Sequence, residues 1–197
     1  MELIQRTPDL SAYLAADDVI DHHHPVVRAA AARLAGQVVD SYAYAQAAYE
    51  FVRDTIPHSA DSGDPRVTWR ASDVLRERTG VCYAKAHALA ALLRAEDIPT
   101  ALCYQRLLHD DGSGHAVHGL VAVRFHGAWH RQDPRGNKPG VDARFSLDGE
   151  RLAWVPDAKS DELDYPDLYA EPHPAVLDVL RAAPDRPTLW ETLPTAL

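Results

Sequence analysis

The chain has 197 residues, of which 46% are hydrophobic, so it is long enough to bury a full core and we expect a single domain over residues 1–197. The formal net charge of −9 argues against partners that are nucleic acids or anionic membranes, since both would repel the chain. Residues 1–10 lack an apolar signal region, and no run of 18 apolar residues occurs, so the sequence predicts a soluble cytoplasmic protein.

Helices are predicted in the N-terminal part, residues 1–65. Pro25 suits the first position of a helix that Gly36 ends. Ser41 is the candidate N-cap of a second helix, which stops before Pro57. Residues 58–65 are polar and rich in turn formers, so we expect a surface loop there.

Three consecutive histidines, His22, His23 and His24, precede the first helix. Consecutive side chains point in different directions on a regular element, and no second cluster at the spacing of a zinc site accompanies them. We interpret the run as a polar loop and expect neither a metal nor a cofactor.

A cysteine begins the most apolar helix of the chain. A short helix predicted over residues 73–78 leads through Gly80 to Cys82, after which no proline or glycine occurs up to Ala95. A thiol at a helix N-terminus lies among unpaired backbone N–H groups, which favour the thiolate. Cys82 is therefore the candidate nucleophile. Lys85, off the apolar face of this helix, is expected to be solvated.

Two other residues, His87 and Cys103, are not expected to take part in catalysis. His87 projects about 140° away from Cys82 around the helix, so it is unable to serve as the base. Cys103 lies in an alternating run over residues 100–107, where a cysteine usually behaves as a small buried hydrophobe. A chain with two cysteines in the cytosol is not a disulfide scaffold, so both thiols are expected to be free.

A predicted hairpin supplies a histidine and an aspartate. Residues 116–126 and 128–133 alternate as two strands, and a two-residue turn at His126 and Gly127 pairs Phe125 with Ala128. In this register His118 and Asp133 are diagonal neighbours on one face, roughly 7 to 8 Å apart and within side-chain reach. We expect the cysteine helix to pack on that same face.

Three motifs in this order resemble the transglutaminase-like superfamily: Gly80-Val81-Cys82, the strand that follows His118, and the segment from Trp129 to Pro134. The resemblance covers residues 66–137. It implies an α+β, papain-like core in which the nucleophile helix packs on a small antiparallel sheet. It also implies that Cys82 is the nucleophile, that His118 is the general base and acid, and that Asp133 orients the imidazole.

The lining of the cleft is less well specified. Transglutaminases carry an oxyanion-stabilising tryptophan upstream of the cysteine, and Trp69 is the nearest candidate here. The other cleft-lining candidates are Tyr83, His58 and His115. His58 has the alternative of a solvated loop residue, and His115 has opposite parity to His118, so the two cannot both face the cysteine.

The rest of the chain is predicted to surround a catalytic core at residues 66–140. The acidic, glycine-rich residues 109–115 form either a plain hairpin loop or a gate over the cleft. From residue 141 to 197 the chain is punctuated by prolines and reads as an irregular C-terminal wrap, with one helix at residues 175–182.

The leading functional hypothesis is a thiol enzyme that forms a thioester from an amide or acyl substrate, which is a protein, a peptide or a small amide. Hydrolysis, deamidation and transfer to an amine stay open, as does the oligomeric state. The Cys82 backbone N–H and a second donor that the sequence does not identify would hold the oxyanion. The alternatives are a non-catalytic binding or scaffold module on the same fold, and a metal site built from histidines.

Overall fold

Helices occupy the first half of the chain and strands the middle. The computed structural model describes residues 1–109 and 111–197. The described helices are α1 (Pro25–Ala35), α2 (Ser41–Thr55), α3 (Ser59–Ser62), α4 (Ala71–Glu77), α5 (Cys82–Arg94), α6 (Pro174–Ala182) and α7 (Arg186–Glu191). The described strands are β1 (Ile4–Gln5), β2 (Thr100–Leu108), β3 (His115–Phe125), β4 (Ala128–Gln132), β5 (Leu163–Asp164) and β6 (Asp167–Leu168).

The main sheet is antiparallel, in the order β4-β3-β2-β5, while β1 pairs in parallel with β6. Phe125 pairs with Ala128, so the predicted register of the hairpin is confirmed. His126 and Gly127 both have positive φ, at 51° and 81°, as the tight two-residue hairpin turn requires. The mixed α+β architecture predicted from the sequence is confirmed.

Helix α5 is buried on all sides. Every residue from Tyr83 to Arg94 is buried, because β2 and β3 cover one side of the helix and α1, α2 and α4 cover the others. Its polar side chains therefore bond to backbone carbonyls. The Lys85 ammonium donates to the carbonyls of Arg53 and Ile56, so the expectation that Lys85 is solvated was wrong.

The face of the sheet that contacts α5 differs from the predicted one. Val117, Val121 and Val123 pack against α5 in the main core, whereas Leu120 and Ala122 belong to a smaller apolar cluster on the other face. His118 has the parity of Leu120, so our expectation that α5 packs on the His118 face was wrong. The free, fully buried Cys103 lies in the smaller cluster.

One glycine sets the distance between helix and sheet. A Cβ on Gly119 would lie 2.7 Å from Tyr83 Cδ1 and 3.3 Å from Tyr83 Cα. Only a residue without a side chain permits this approach. The first turn of α5 therefore lies directly against β3, one residue from His118.

Several helix boundaries differ from those predicted. The N-cap of α2 is Asp40, whose carboxylate accepts from the Ala43 N–H, and not Ser41. α4 begins at Ala71, before the predicted start, and its N-cap has no side-chain bond. The predicted surface loop at residues 58–65 contains α3, of which His58 is the N-cap residue.

The C-terminal part contains a helix that we did not predict, although Asp185 as N-cap and a proline in the first turn of α7 are ordinary helix-start signals. Within residues 1–109 and 111–197, no helix has both the length and the apolar character needed to cross a membrane. Residue 110, in the predicted loop 109–115, lies outside the described residues.

Candidate active site

Cys82 is the first residue of α5, and its half-buried side chain faces a cleft of about 590 Å³. The turn before it is held on both sides. The Ser59 N–H donates to the Gly80 carbonyl at 3.1 Å, and the Thr68 hydroxyl donates to the Thr79 carbonyl at 2.8 Å. A Cβ on Gly80 would lie 2.9 Å from Ala84 Cβ, so the turn has no room for a side chain.

His118 and Asp133 form a buried pair next to this cysteine. The His118 Nε2–H donates to Asp133 Oδ2 at 2.8 Å, which leaves Nδ1 as the nitrogen for the Cys82 thiol. Burial opposes the charged imidazole, but the charges of Asp133 and Cys82 and hydrogen bonds to both outweigh it and raise the pKa of His118 to about 10. The geometry therefore favours the charged imidazolium form of His118.

Asp133 follows the last residue of β4 and is fully buried. Its Oδ2 also accepts from the Ala153 N–H at 3.2 Å, and its Oδ1 accepts from the Arg135 N–H at 3.0 Å. Burial works against the carboxylate, but the charge and hydrogen bond of His118 and these two backbone donors hold the pKa of Asp133 below its ordinary value. The Tyr49 hydroxyl donates to the backbone carbonyl of Asp133 at 2.9 Å and so holds the chain in place where β4 ends.

The structure places two of the four cleft-lining candidates in the cleft. Tyr83 lines it, and its hydroxyl donates to the Val117 carbonyl. His58 also lines it and is only 6% exposed, so the alternative of a solvated loop residue was wrong. Burial, followed by the charge of Arg135, lowers the pKa of His58 to about 3, and its Nε2 accepts from the Cys82 N–H at 3.1 Å.

The other two candidates lie elsewhere, which corrects the prediction. The Trp69 ring packs between the guanidinium groups of Arg70 and Arg181, whose carbon atoms lie 4.5 and 4.9 Å from its centroid. The His115 Nε2 is 2.8 Å from the Ser160 carbonyl, a contact that directs the ring away from the cleft lining. Neither position could be judged from the local sequence, since both depend on distant segments.

Two tryptophans of the C-terminal wrap contribute to the cleft and were not predicted. The Trp154 ring contacts His118 edge to face, with centroids 5.0 Å apart. Trp190, on α7, is 41% exposed and lies with its centroid 6.5 Å from that of His58. Both tryptophans come after Asp133, in a part of the chain without hydrophobic periodicity, so no local signal could have identified them.

An ion pair joins two walls of the cleft. The Arg135 guanidinium forms two bonds to the Asp61 carboxylate, and its carbon lies 5.3 Å from the centroid of Trp154. Asn137, two residues further along the chain, exchanges two hydrogen bonds with the Ala143 backbone.

The histidine run occupies the loop before α1. His24 caps the helix, with its Nδ1 accepting from the Val26 N–H at 3.2 Å. Among the residues that the structure describes, no three His, Cys, Asp or Glu side chains are grouped so that they could hold a metal ion.

The model of the transglutaminase-like superfamily matches residues 28–134. A solved structure of a putative cysteine protease from Cytophaga hutchinsonii aligns with a TM-score of 0.55 and 21% identity, over 66% of this chain and 43% of the other. At this identity the likeness shows a shared fold.

A second solved structure, the periplasmic domain of TgpA from Pseudomonas aeruginosa, aligns with a TM-score of 0.47 and 23% identity over 65% of this chain and 48% of the other. The chain thus spans less than half the length of each of these two structures. No curated protein matches the sequence.

Proposed function

The chain belongs to the transglutaminase-like superfamily, and from this premise we propose that it is a cysteine-dependent enzyme that opens an amide or acyl bond through a thioester on Cys82. The observation that carries the proposal is the 2.8 Å bond between His118 Nε2 and Asp133 Oδ2, buried beside a cysteine that begins a helix and faces a cleft. A nucleophile, a base and a group that orients the base are the three parts that such chemistry needs.

In the proposed first half-reaction, the Cys82 thiolate attacks the carbonyl carbon and a carbon–sulfur bond forms. The tetrahedral intermediate then collapses, the carbon–nitrogen bond breaks, and the proton on His118 Nδ1 passes to the leaving amine. A thioester and a neutral His118 remain. Asp133 stabilises the imidazolium and holds the ring so that Nδ1 faces the sulfur.

In the second half-reaction, a water molecule or an amine attacks the thioester while His118 Nδ1 takes its proton. The carbon–sulfur bond breaks, and the Cys82 thiolate and the imidazolium are restored. Hydrolysis of a peptide or another amide accords with the description of the Cytophaga hutchinsonii relative as a putative cysteine protease. Transfer to an amine accords equally with the family.

The class of substrate and the location are also proposals. A protein, a peptide or a small amide fits a cleft of about 590 Å³ with tryptophan and carboxylate groups in its walls. The net charge of −9 argues against nucleic acids and anionic membranes as partners. We propose a cytoplasmic location on the composition of the sequence alone.

The test is labelling with a panel of acyl and glutaminyl probes that trap thiols, applied to the wild type and to Cys82→Ala and Cys103→Ala. We expect the probes to label Cys82 in the wild type and to label nothing in Cys82→Ala. Cys103→Ala should keep the labelling, because burial raises the pKa of the Cys103 thiol far above its ordinary value and the residue is enclosed in the smaller apolar cluster. Amidase or transferase activity that survives Cys82→Ala would refute the proposal.

A further inference from the structure

The ring of His58 lies between two backbone N–H groups, and each of them points at one of its nitrogens. The Cys82 N–H is directed at Nε2 at 3.1 Å, and the Ala60 N–H is directed at Nδ1 at 3.3 Å. A neutral imidazole has one acceptor nitrogen and one N–H group. The two hydrogen bonds therefore cannot exist at the same time.

The position of this ring is tied to the nucleophile. His58 pairs with Gly80 in a parallel bridge, and the Ser59 N–H donates to the Gly80 carbonyl. The ring is buried, faces the cleft, and lies edge to face with Trp190. The segment at His58 is thus bonded directly to the residues that begin α5, although 24 residues separate His58 from Cys82.

The ring is neutral near pH 7, because burial and the charge of Arg135 lower the pKa of His58 to about 3. With the proton on Nδ1, the ring satisfies the Cys82 N–H and loses the bond from Ala60. With the proton on Nε2, it keeps the bond from Ala60, and the Cys82 N–H, which is directed at Nε2, loses its acceptor. Each tautomer leaves one of the two backbone donors without an acceptor.

We propose that His58 is the second donor of the oxyanion hole, with its Nε2–H and the Cys82 backbone N–H binding the substrate carbonyl oxygen as it becomes negative. This inference rests on the proposed function of Cys82. Two N–H groups that lack an acceptor can stabilise the negative charge that develops on the carbonyl oxygen. In the free enzyme the proton is on Nδ1, and Nε2 accepts the hydrogen bond of the Cys82 N–H. When substrate binds, the ring loses the Nδ1 proton to solvent and takes one from solvent on Nε2, so its net charge does not change.

If His58 acted as a base, or only as a structural residue, the expected effects of its replacement would differ from those of an oxyanion donor. A group with so low a pKa accepts a proton from a thiol poorly. A residue that only holds the turn would affect every reaction of Cys82 alike. An oxyanion donor affects only those reactions in which the attacked carbonyl oxygen gains charge.

The experiment compares two reagents on the intact protein. N-acetyl dipeptide aldehydes add to Cys82 and give a tetrahedral hemithioacetal, whose oxygen occupies the oxyanion site, whereas iodoacetamide alkylates the thiol without forming an oxyanion. For His58→Leu we expect aldehyde affinity and kcat/KM on the best substrate of the probe panel to fall about 100-fold. The rate of alkylation should change by less than threefold.

Two variants serve as references. His58→Gln keeps an N–H donor on the side chain, so it should retain at least tenfold more aldehyde affinity than His58→Leu. His87→Leu removes another buried histidine, one whose Nδ1 contacts the Trp69 carbonyl at 2.9 Å outside the cleft, and measures the effect of destabilisation alone. Below its unfolding temperature it should keep the aldehyde affinity of the wild type.

Three outcomes would overturn the inference: aldehyde affinity unchanged in His58→Leu, alkylation that falls in parallel with aldehyde affinity, or equal losses in the Leu and Gln variants. A different outcome addresses the proposed function. If wild-type Cys82 reacts with iodoacetamide but with no aldehyde and no acyl probe, the enzyme proposal itself fails, and this inference fails with it.

Discussion

Replacement of Asp133 by asparagine keeps the shape of the side chain and removes its charge. The carboxylate accepts from His118 Nε2 and from the backbone N–H groups of Arg135 and Ala153. An asparagine has one acceptor oxygen, so if that oxygen faces His118, its NH₂ group confronts the Arg135 N–H. A buried donor without a partner costs about 1–3 kcal/mol of unfolding free energy.

The same change weakens the bond that supports the imidazolium. A hydrogen bond to a charged group contributes about 1.5–3 kcal/mol, and a neutral one contributes about 0.5–1.5 kcal/mol. The difference of about 1–1.5 kcal/mol corresponds to roughly a tenfold loss of rate. We therefore expect Asp133→Asn to slow both alkylation of Cys82 and turnover about tenfold near pH 7.

The pH dependence of stability gives a second readout. The raised pKa of His118 contributes stability that is complete below its unfolded value near 6.5 and is lost as the pH rises toward about 10. The lowered pKa of Asp133 contributes stability that is present above its unfolded value of 3.8 and is lost as the pH falls through its folded value. The difference in unfolding free energy between wild type and Asp133→Asn should therefore be largest between about pH 4 and 6.5.

Alkylation rates and urea unfolding, both measured from pH 4 to 10, test these expectations. Asp164→Asn is the matched control, since Asp164, on β5, is a half-buried carboxylate that accepts from Arg131 and Gln105 and not from His118. It should lose stability and keep the alkylation rate. An alkylation profile for Asp133→Asn that coincides with that of the wild type would refute the role of Asp133.

Two further substitutions test how α5 is held. Gly119→Ala places a methyl group against Tyr83 and should cost about 1–3 kcal/mol in urea unfolding and slow alkylation of Cys82, whereas Gly36→Ala, at a φ of −66°, should cost nothing. Burial lowers the pKa of Lys85 from 10.5 to about 7. Between these two pH values Lys85 binds a proton in the unfolded chain but not in the folded one, so the free energy of unfolding of the wild type should rise from pH 7 to about 9.5. Lys85→Met should lack that gain; equal pH slopes in the two proteins would contradict the assignment.

The parts of the site that the sequence predicted are governed by local rules. The start of α5 follows from a glycine turn before a run without helix breakers, and the hairpin register follows from a two-residue turn. Register fixes which residues share a face. The contact between His118 and Asp133 therefore needed no knowledge of the remaining chain.

The parts that were missed depend on packing between distant segments. Lys85 has the composition of a solvated residue, yet the C-terminal end of α2 covers it and supplies two carbonyls. Trp154 and Trp190 come from a region without periodicity. Which face of β3 receives α5 was mispredicted, because both faces of that strand are apolar and alternation alone does not distinguish them.

The ion pair between the buried Arg135 and the exposed Asp61 connects the two sides of the proposed reaction centre. The Arg135 N–H holds the Asp133 carboxylate, while its guanidinium holds Asp61 on α3, the short helix that His58 caps. The segment that positions the acid of the triad is thus bonded to the segment that carries the proposed oxyanion donor. Truncation of Arg135 removes both of its bonds to Asp61, so its effects should reach both segments. Arg135 is therefore better understood as a support of the whole cleft than as a binding residue for a substrate anion.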